Sequence, residues 1–168
     1  RLAPLLAQFK PERLFTSDLS RSIETARPAA ELLGLEAQAS PVFREFSWGV
    51  LEGLTWPEIK ERYPALFAQL RLDLRAADIP KQETPAAFRH RLRQGLDLLL
   101  AEKPRTVSLV GHGRYLNALV VEFLGLDFAG PWPFSFASAA VTVLEANGHK
   151  RRLIRFNEEC HLLGENDA

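Results

Sequence analysis

The spacing of hydrophobic positions changes several times along the chain. Leu2, Leu5, Leu6 and Phe9 recur at helical intervals, and Pro11 ends that stretch. Arg13-Leu14-Phe15-Thr16 is a short apolar run suited to a buried strand. A helix is expected from about Leu19 to Leu33, capped by Ser17 or Asp18, kinked at Pro28 and closed by Gly34. Leu35 to Val42 is expected to hold a second strand, and a loop punctuated by Gly49 and Gly53 follows. Thr55-Trp56-Pro57-Glu58 has the form of a capping box, and a further helix is expected from Pro64 to Leu74. Thr84-Pro85 opens a long helix with Phe88, Leu92, Leu96 and Leu99 on its inner face. Thr106 to Val110 shows no strong alternation, as expected of a central parallel strand covered on both faces. Gly111-His112-Gly113 ends it, and a largely apolar helix from Arg114 to Leu124 is closed by Gly125. Ala139 to Glu145 and Arg151 to Asn157 flank Asn147-Gly148, a hairpin signature. Strands that alternate with helices predict an α/β fold. The expectation is a three-layer α/β/α sandwich with a mostly parallel central sheet and a C-terminal antiparallel hairpin.

Composition narrows the classes of function. The chain has 168 residues, 46% hydrophobic and 25% charged, and reads as a single domain over residues 1–168. Its 21 Lys and Arg balance 21 Asp and Glu, so it lacks the basic footprint of a nucleic-acid or anionic-membrane partner. The single cysteine, Cys160, rules out an internal disulfide framework. No apolar run approaches the ~20 residues that span a bilayer. A cytoplasmic location is the expectation from these two features. The chain contains no Met and opens on Arg1-Leu2-Ala3-Pro4, so a segment ahead of Arg1 is expected, and a targeting sequence there stays open.

Three positions suggest chemistry. Arg21 falls in the first turn of a helix that follows a strand. A cation there opposes the helix dipole unless an anion binds at the same end. A guanidinium can grip a phosphate through two parallel hydrogen bonds. The plain alternative is a solvated arginine paired with Glu24. His112 stands between two glycines at the end of the most strand-like run. Ligands of open α/β sheets bind at such ends, and the Gly113 N–H is free to meet an anion. The alternative is a histidine in an ordinary turn. Glu45 and Glu52 lie in Phe43-Arg44-Glu45-Phe46-Ser47-Trp48-Gly49-Val50-Leu51-Glu52-Gly53. A carboxylate desolvated between aromatics suits acid catalysis, whereas a loop carboxylate in water does not. His149 is expected in the hairpin turn. His90 is expected on an exposed helix face with Arg89, Arg91 and Arg93. Glu158-Glu159-Cys160-His161 offers ligand-type side chains, but no second cluster completes a zinc site, so no metal is expected.

Taken together, these segments resemble the histidine phosphatase superfamily, the phosphoglycerate mutase-like proteins. Phe15-Thr16-Ser17-Asp18-Leu19-Ser20-Arg21-Ser22-Ile23-Glu24-Thr25-Ala26 is similar to its second phosphate-binding segment. Phe43-Arg44-Glu45 through Glu52-Gly53 is similar to its acid-bearing loop, Val107 to Gly113 to its second histidine segment, and Asn157 to Leu162 to its usual ending. The resemblance implies that Arg21 and His112 bind the phosphoryl group, that the Gly113 N–H adds a hydrogen bond, and that Glu45 donates a proton to the leaving oxygen. The family's attacking histidine belongs to an Arg-His-Gly segment at the end of a first strand. The 168 residues hold no such segment, and that strand and loop are expected in roughly 25–45 residues ahead of Arg1.

The expected function is therefore that of a metal-independent phosphomonoester hydrolase. It would act through a phosphohistidine on small phosphorylated metabolites, with no cofactor. Its partners would be a small phosphomonoester or inorganic phosphate. The oligomeric state is open, with a homodimer as one candidate. Two alternatives stand beside this reading: a cofactor-dependent phosphoglycerate mutase-type phosphotransferase, and a non-catalytic module that binds a phospho-ligand. Phe46, Ser47 and Trp48 after Glu45 replace the basic, polar stretch of the mutases, which favours the phosphatase. Phe46, Trp48 and Trp56 would either rim the leaving group or fill a core.

Overall fold

The computed structural model describes residues 1–72, 78–127, 133–148 and 150–163. Among these, the helices and strands run α1 (Leu2–Gln8), β1 (Arg13–Thr16), α2 (Ser20–Leu33), β2 (Ala37–Ala39), α3 (Trp56–Arg62), α4 (Pro64–Leu72), α5 (Pro85–Leu100), β3 (Val107–Val110), α6 (Gly113–Leu124), β4 (Val141–Asn147) and β5 (Lys150–Glu158). The chain divides into two compact units: Arg1–Glu45 with Arg89–Ala168, and Phe46–Phe88.

The larger unit is built on a parallel sheet of order β2-β1-β3, with Leu14 opposite Ala37 and Ser108, and Thr16 opposite Ala39 and Val110. Among the described residues β1 is the middle strand, and the Val107–Val110 run pairs with it in parallel, as expected of a strand of the parallel sheet. Leu14, Phe15 and Thr16 are fully buried, whereas β3 is half-buried along its length and, among the described residues, pairs with β1.

Alternation along β1 sends successive side chains to opposite faces. Leu14 packs with Ala29 and Ala30 of α2, backed by Leu6 of α1, Leu33 and Leu35. Phe15 turns the other way, its ring centroid 5.7 Å from that of Phe43. Phe43 in turn meets Tyr115 of α6 edge-on at 6.0 Å. Helices thus cover both faces, giving the three layers expected. Gly95 lets α5 pass close to this cluster, because a Cβ there would collide with the Tyr115 hydroxyl.

Helix α2 runs through Pro28 and ends where Gly34 takes a left-handed φ of 64°, which suits glycine. Its N-cap is Leu19, with no side-chain cap. Neither Ser17 nor Asp18 caps the helix as expected, because both side chains are engaged elsewhere. The hairpin forms as expected, with Asn147 opposite Lys150 and Gly148 at φ 58°. His149 lies outside the described residues.

In the smaller unit, Leu51, Ile59, Leu70 and Ile79 form a buried cluster, with Trp48, Leu54, Tyr63, Leu66 and Phe67 packed around it. The capping box opens α3, with the Thr55 N–H donating to Glu58 Oε2 at 2.8 Å. Gly49 takes a positive φ of 57°, and the Pro80 carbonyl occupies the space a Cβ would need. Helix α4 is described as far as Leu72; Leu74, its expected end, lies outside the described residues. No helix among the described residues is long and apolar enough to cross a membrane.

Candidate active site

Strands β1 and β3 are parallel neighbours, so the loops that leave Thr16 and Val110 emerge at the same end of the sheet. Open α/β sheets bind their ligands at this end. The two loops are laced together. Thr16 Oγ1 and Ser22 Oγ lie 2.7 Å apart, and Ser22 Oγ donates to the Val110 carbonyl at 3.0 Å.

His112 follows β3 and is the N-cap residue of α6, with extended backbone. Its side chain is buried, and Nε2 lies 2.7 Å from the buried Ser17 hydroxyl. Ser17 Oγ also accepts a hydrogen bond from the Leu19 N–H at 3.4 Å. Burial and the positive charge of Arg21 hold the imidazole below its ordinary pKa; Glu45 opposes the shift and Arg91 adds to it. Three charged side chains therefore act on one histidine. Arg21 sits in the first turn of α2, exposed, and has no carboxylate partner among the described residues. The expected alternative, a pair with Glu24, is not formed.

Glu45 closes the loop that begins with the 3-10 turn Pro41–Phe43. Its carboxylate accepts from two backbone N–H groups in the first turn of α6, Arg114 at 3.2 Å and Tyr115 at 2.9 Å. A carboxylate is favoured there by the unpaired N–H groups and the helix dipole. Glu45 and His112 are thus brought to one helix end. Of the aromatic residues that follow Glu45 in sequence, Phe46 packs edge-on against Phe88 at 5.1 Å, and Trp48 belongs to the hydrophobic cluster of the smaller unit. Trp56 is half exposed, 6.0 Å from Phe67. Glu52, the second carboxylate of that loop, is exposed and accepts from the Trp48 N–H at 2.7 Å. Gly113 is the exposed first residue of α6, with open space where a side chain would stand.

Two arginines fix the Glu45 loop. Arg44 grips Asp18 with both branches of its fork, Nε to Oδ1 at 2.7 Å and Nη2 to Oδ2 at 2.6 Å. That hydrogen bonding holds the Asp18 carboxyl below its usual range. Arg91 of α5 donates to the carbonyls of Val42, Arg44 and Glu45 at 3.0, 2.7 and 3.3 Å. The exposed face expected for Arg89, Arg91 and Arg93 therefore holds for His90 but not for Arg91, which is half-buried. Arg89 and Arg93 both bind Glu122 at 2.8 Å. Burial acts to raise that carboxyl, and the two guanidinium groups together outweigh it, so its pKa falls.

Ser17 and Arg91 are the residues that sequence reasoning missed. Ser17 stood in plain view between a strand and a helix, but its cap role was the only one a linear pattern suggests. Arg91 gave no signal, because its acceptors are backbone carbonyls more than forty residues away. His161 is tied to the Ala139 carbonyl at 3.0 Å. Among the described residues no three His, Cys, Asp or Glu side chains gather as a metal site.

Fold and side chains together define the class: an α/β protein with a histidine, guanidinium groups and a carboxylate gathered where parallel strands end. A family model for the histidine phosphatase superfamily (branch 1) matches residues 1–159, and the chain belongs to that superfamily. It is 25% identical over 162 residues to phosphoserine phosphatase 1 of Hydrogenobacter thermophilus, covering 96% of this chain and 77% of that one. A mycobacterial glucosyl-3-phosphoglycerate phosphatase solved with VO3 is 29% identical, with a TM-score of 0.76 over 94% of this chain and 81% of that one. The same mycobacterial enzyme has been solved with inorganic phosphate, at 28% identity and a TM-score of 0.74 over 93% of this chain and 81% of that one. The α-ribazole phosphatase of Shigella flexneri shares the fold, with a TM-score of 0.81 at 20% identity over 94% of this chain and 78% of that one.

Proposed function

We propose that this member of the superfamily is a phosphatase of small phosphorylated metabolites that works through a phosphohistidine, without a metal ion. The observation that supports the reading is Glu45 seated on the first turn of the helix that His112 begins, at the sheet end from which β1 leads into the α2 turn that carries Arg21. Phosphoryl transfer depends chiefly on positioning and charge stabilisation, which cationic side chains can supply. Arg21, His112 and the Gly113 N–H bind the phosphoryl oxygens. The attacking histidine is the one the family resemblance implies, from an Arg-His-Gly segment that these 168 residues do not hold. Its ring nitrogen forms a bond to phosphorus as the P–O bond to the leaving group breaks, and Glu45 gives that oxygen its proton. Glu45 then takes a proton from water. The water oxygen bonds to phosphorus, the P–N bond breaks, and inorganic phosphate leaves.

The test uses the whole protein, with an aryl phosphate and with 3-phosphoglycerate, in the presence and absence of EDTA. The reading expects hydrolysis that EDTA leaves unchanged and Glu45→Gln slows by roughly 10²–10⁴-fold. Isomerisation of phosphoglycerate with negligible hydrolysis assigns the mutase reaction instead. Binding of vanadate without turnover assigns a phospho-ligand module.

A further inference from the structure

Glu45 is held from two directions. Its carboxylate rests on the N–H groups of Arg114 and Tyr115, and its backbone is held by Arg91. Nη1 of Arg91 reaches both the Val42 and the Arg44 carbonyls, while Nη2 reaches that of Glu45 itself. The same guanidinium lies over the Tyr115 ring, 5.4 Å from its centroid. One planar group thus touches the chain that carries the acid and the residue that seats its carboxylate. We propose that Arg91 is a positioning residue for Glu45, fixing the distance between the acid-bearing loop and the first turn of α6.

The chemistry of arginine suits this task. Its donors form a rigid, planar fork, and its face stacks on an aromatic ring. A lysine keeps the charge but brings one point of contact on a flexible stem. Arg44 assists by fixing the same loop to Asp18, beside the α2 segment that carries Arg21. Without the Arg91 fork, three carbonyls lose their donor and the loop is free to shift. Misplacement of a catalytic group by about 1 Å costs on the order of 10²-fold in rate.

The proposal rests on Glu45 as the proton donor, and a double-mutant cycle tests the two ideas separately. The whole protein is prepared as Arg91→Gln, Arg91→Lys, Glu45→Gln and the double variant Arg91→Gln/Glu45→Gln. Arg91→Gln and Arg91→Lys are expected to lower kcat by about 10–100-fold. The inhibition constant for vanadate should stay within roughly threefold, since Arg21 and His112 remain. In the Glu45→Gln background the Arg91 change should cost less than about twofold, because no acid is left to aim. If Arg91→Gln slows both backgrounds equally, or weakens vanadate as much as it lowers kcat, the proposal is overturned. Failure of both Arg91 variants to fold makes the residue part of the scaffold and overturns it as well. Full activity in Glu45→Gln removes the acid, and the reading of Arg91 falls with it. Slow Glu45→Gln beside fully active Arg91 variants removes Arg91 alone.

Discussion

The Ser17 hydroxyl and Nε2 of His112 lie 2.7 Å apart, joining two loops separated by 95 positions in sequence. Both side chains are buried, so neither can readily exchange this bond for water. Ser17 Oγ also accepts from the Leu19 N–H at 3.4 Å, and its hydroxyl is able either to donate to Nε2 or to accept a second hydrogen bond from it.

Ser17→Ala removes that partner and leaves a buried ring nitrogen without the Ser17 hydrogen bond. A loss of about 1–3 kcal/mol in unfolding free energy is expected, read from urea denaturation. Ring orientation should loosen as well, with vanadate binding weakened severalfold. Unchanged stability and unchanged vanadate affinity together would contradict a structural role for the bond.

Acid should destabilise the fold through His112. Its folded pKa lies below the ordinary 6.5 because of burial and the charges of Arg21 and Arg91, against the pull of Glu45. The unfolded chain therefore binds the proton more readily. Stability is unaffected by this group well above pH 6.5 and falls as pH drops from there through the folded pKa. His112→Gln should flatten this part of the stability profile. A bound phosphate dianion beside the ring favours its charged form, so the imidazole NMR titration should move upward when phosphate is added. A midpoint at or above 6.5 in the free protein would run against this account.

Most of the fold was legible because its elements announce their ends. Gly34 and Gly125 close α2 and α6 with left-handed turns, and Thr55 to Glu58 open α3. What could not be read was depth. Both Leu14-Phe15 and Val107 to Val110 read as buried strands, and only tertiary pairing ranks them. Within the candidate site, Arg21 and His112 were singled out by their places after strands, Glu45 by its place in a loop of aromatics, and the role of each by a family resemblance. Arg91 was not, because a side chain that binds backbone carbonyls leaves no complementary residue type in the sequence. For Glu45 the residue was expected but its surroundings were not: two backbone N–H groups hold it, and backbone groups are the same at every position.

Gly95 provides a test of the packing behind Tyr115. In an exposed helix, Gly→Ala stabilises by about 0.8–1 kcal/mol. Here the added methyl would meet the Tyr115 hydroxyl and stand 3.3 Å from Phe43 Cε1. Both rings are fully buried, so neither can swing aside. Overpacking costs of about 1–3 kcal/mol should outweigh the propensity gain, and Gly95→Ala should lower the melting temperature. A rise in Tm would show that the α5–α6 contact has slack. Because the Tyr115 N–H holds Glu45, a displaced Tyr115 should also lower kcat.

Arg21 should separate binding from stability. Its side chain is exposed and has no carboxylate partner among the described residues, so Arg21→Ala removes little that holds the fold together. An exposed substitution of this kind is expected to change unfolding free energy by no more than about 0.5 kcal/mol. The effect on a phosphoryl ligand should be large, because a charged, two-pronged donor is lost where the oxygens would sit. A charge-assisted hydrogen bond is worth about 1.5–3 kcal/mol, which corresponds to roughly 10–150-fold weaker vanadate binding. The same substitution takes a positive charge away from His112, so the imidazole pKa should rise toward 6.5. Arg21→Lys should keep most of the effect on His112 and only part of the affinity, since it supplies charge without the fork. Vanadate titration and the imidazole NMR shift, measured on the same two variants, read these effects separately. Equal vanadate affinity in Arg21→Ala and the unsubstituted protein would remove Arg21 from the ligand site, even if its charge still acts on His112.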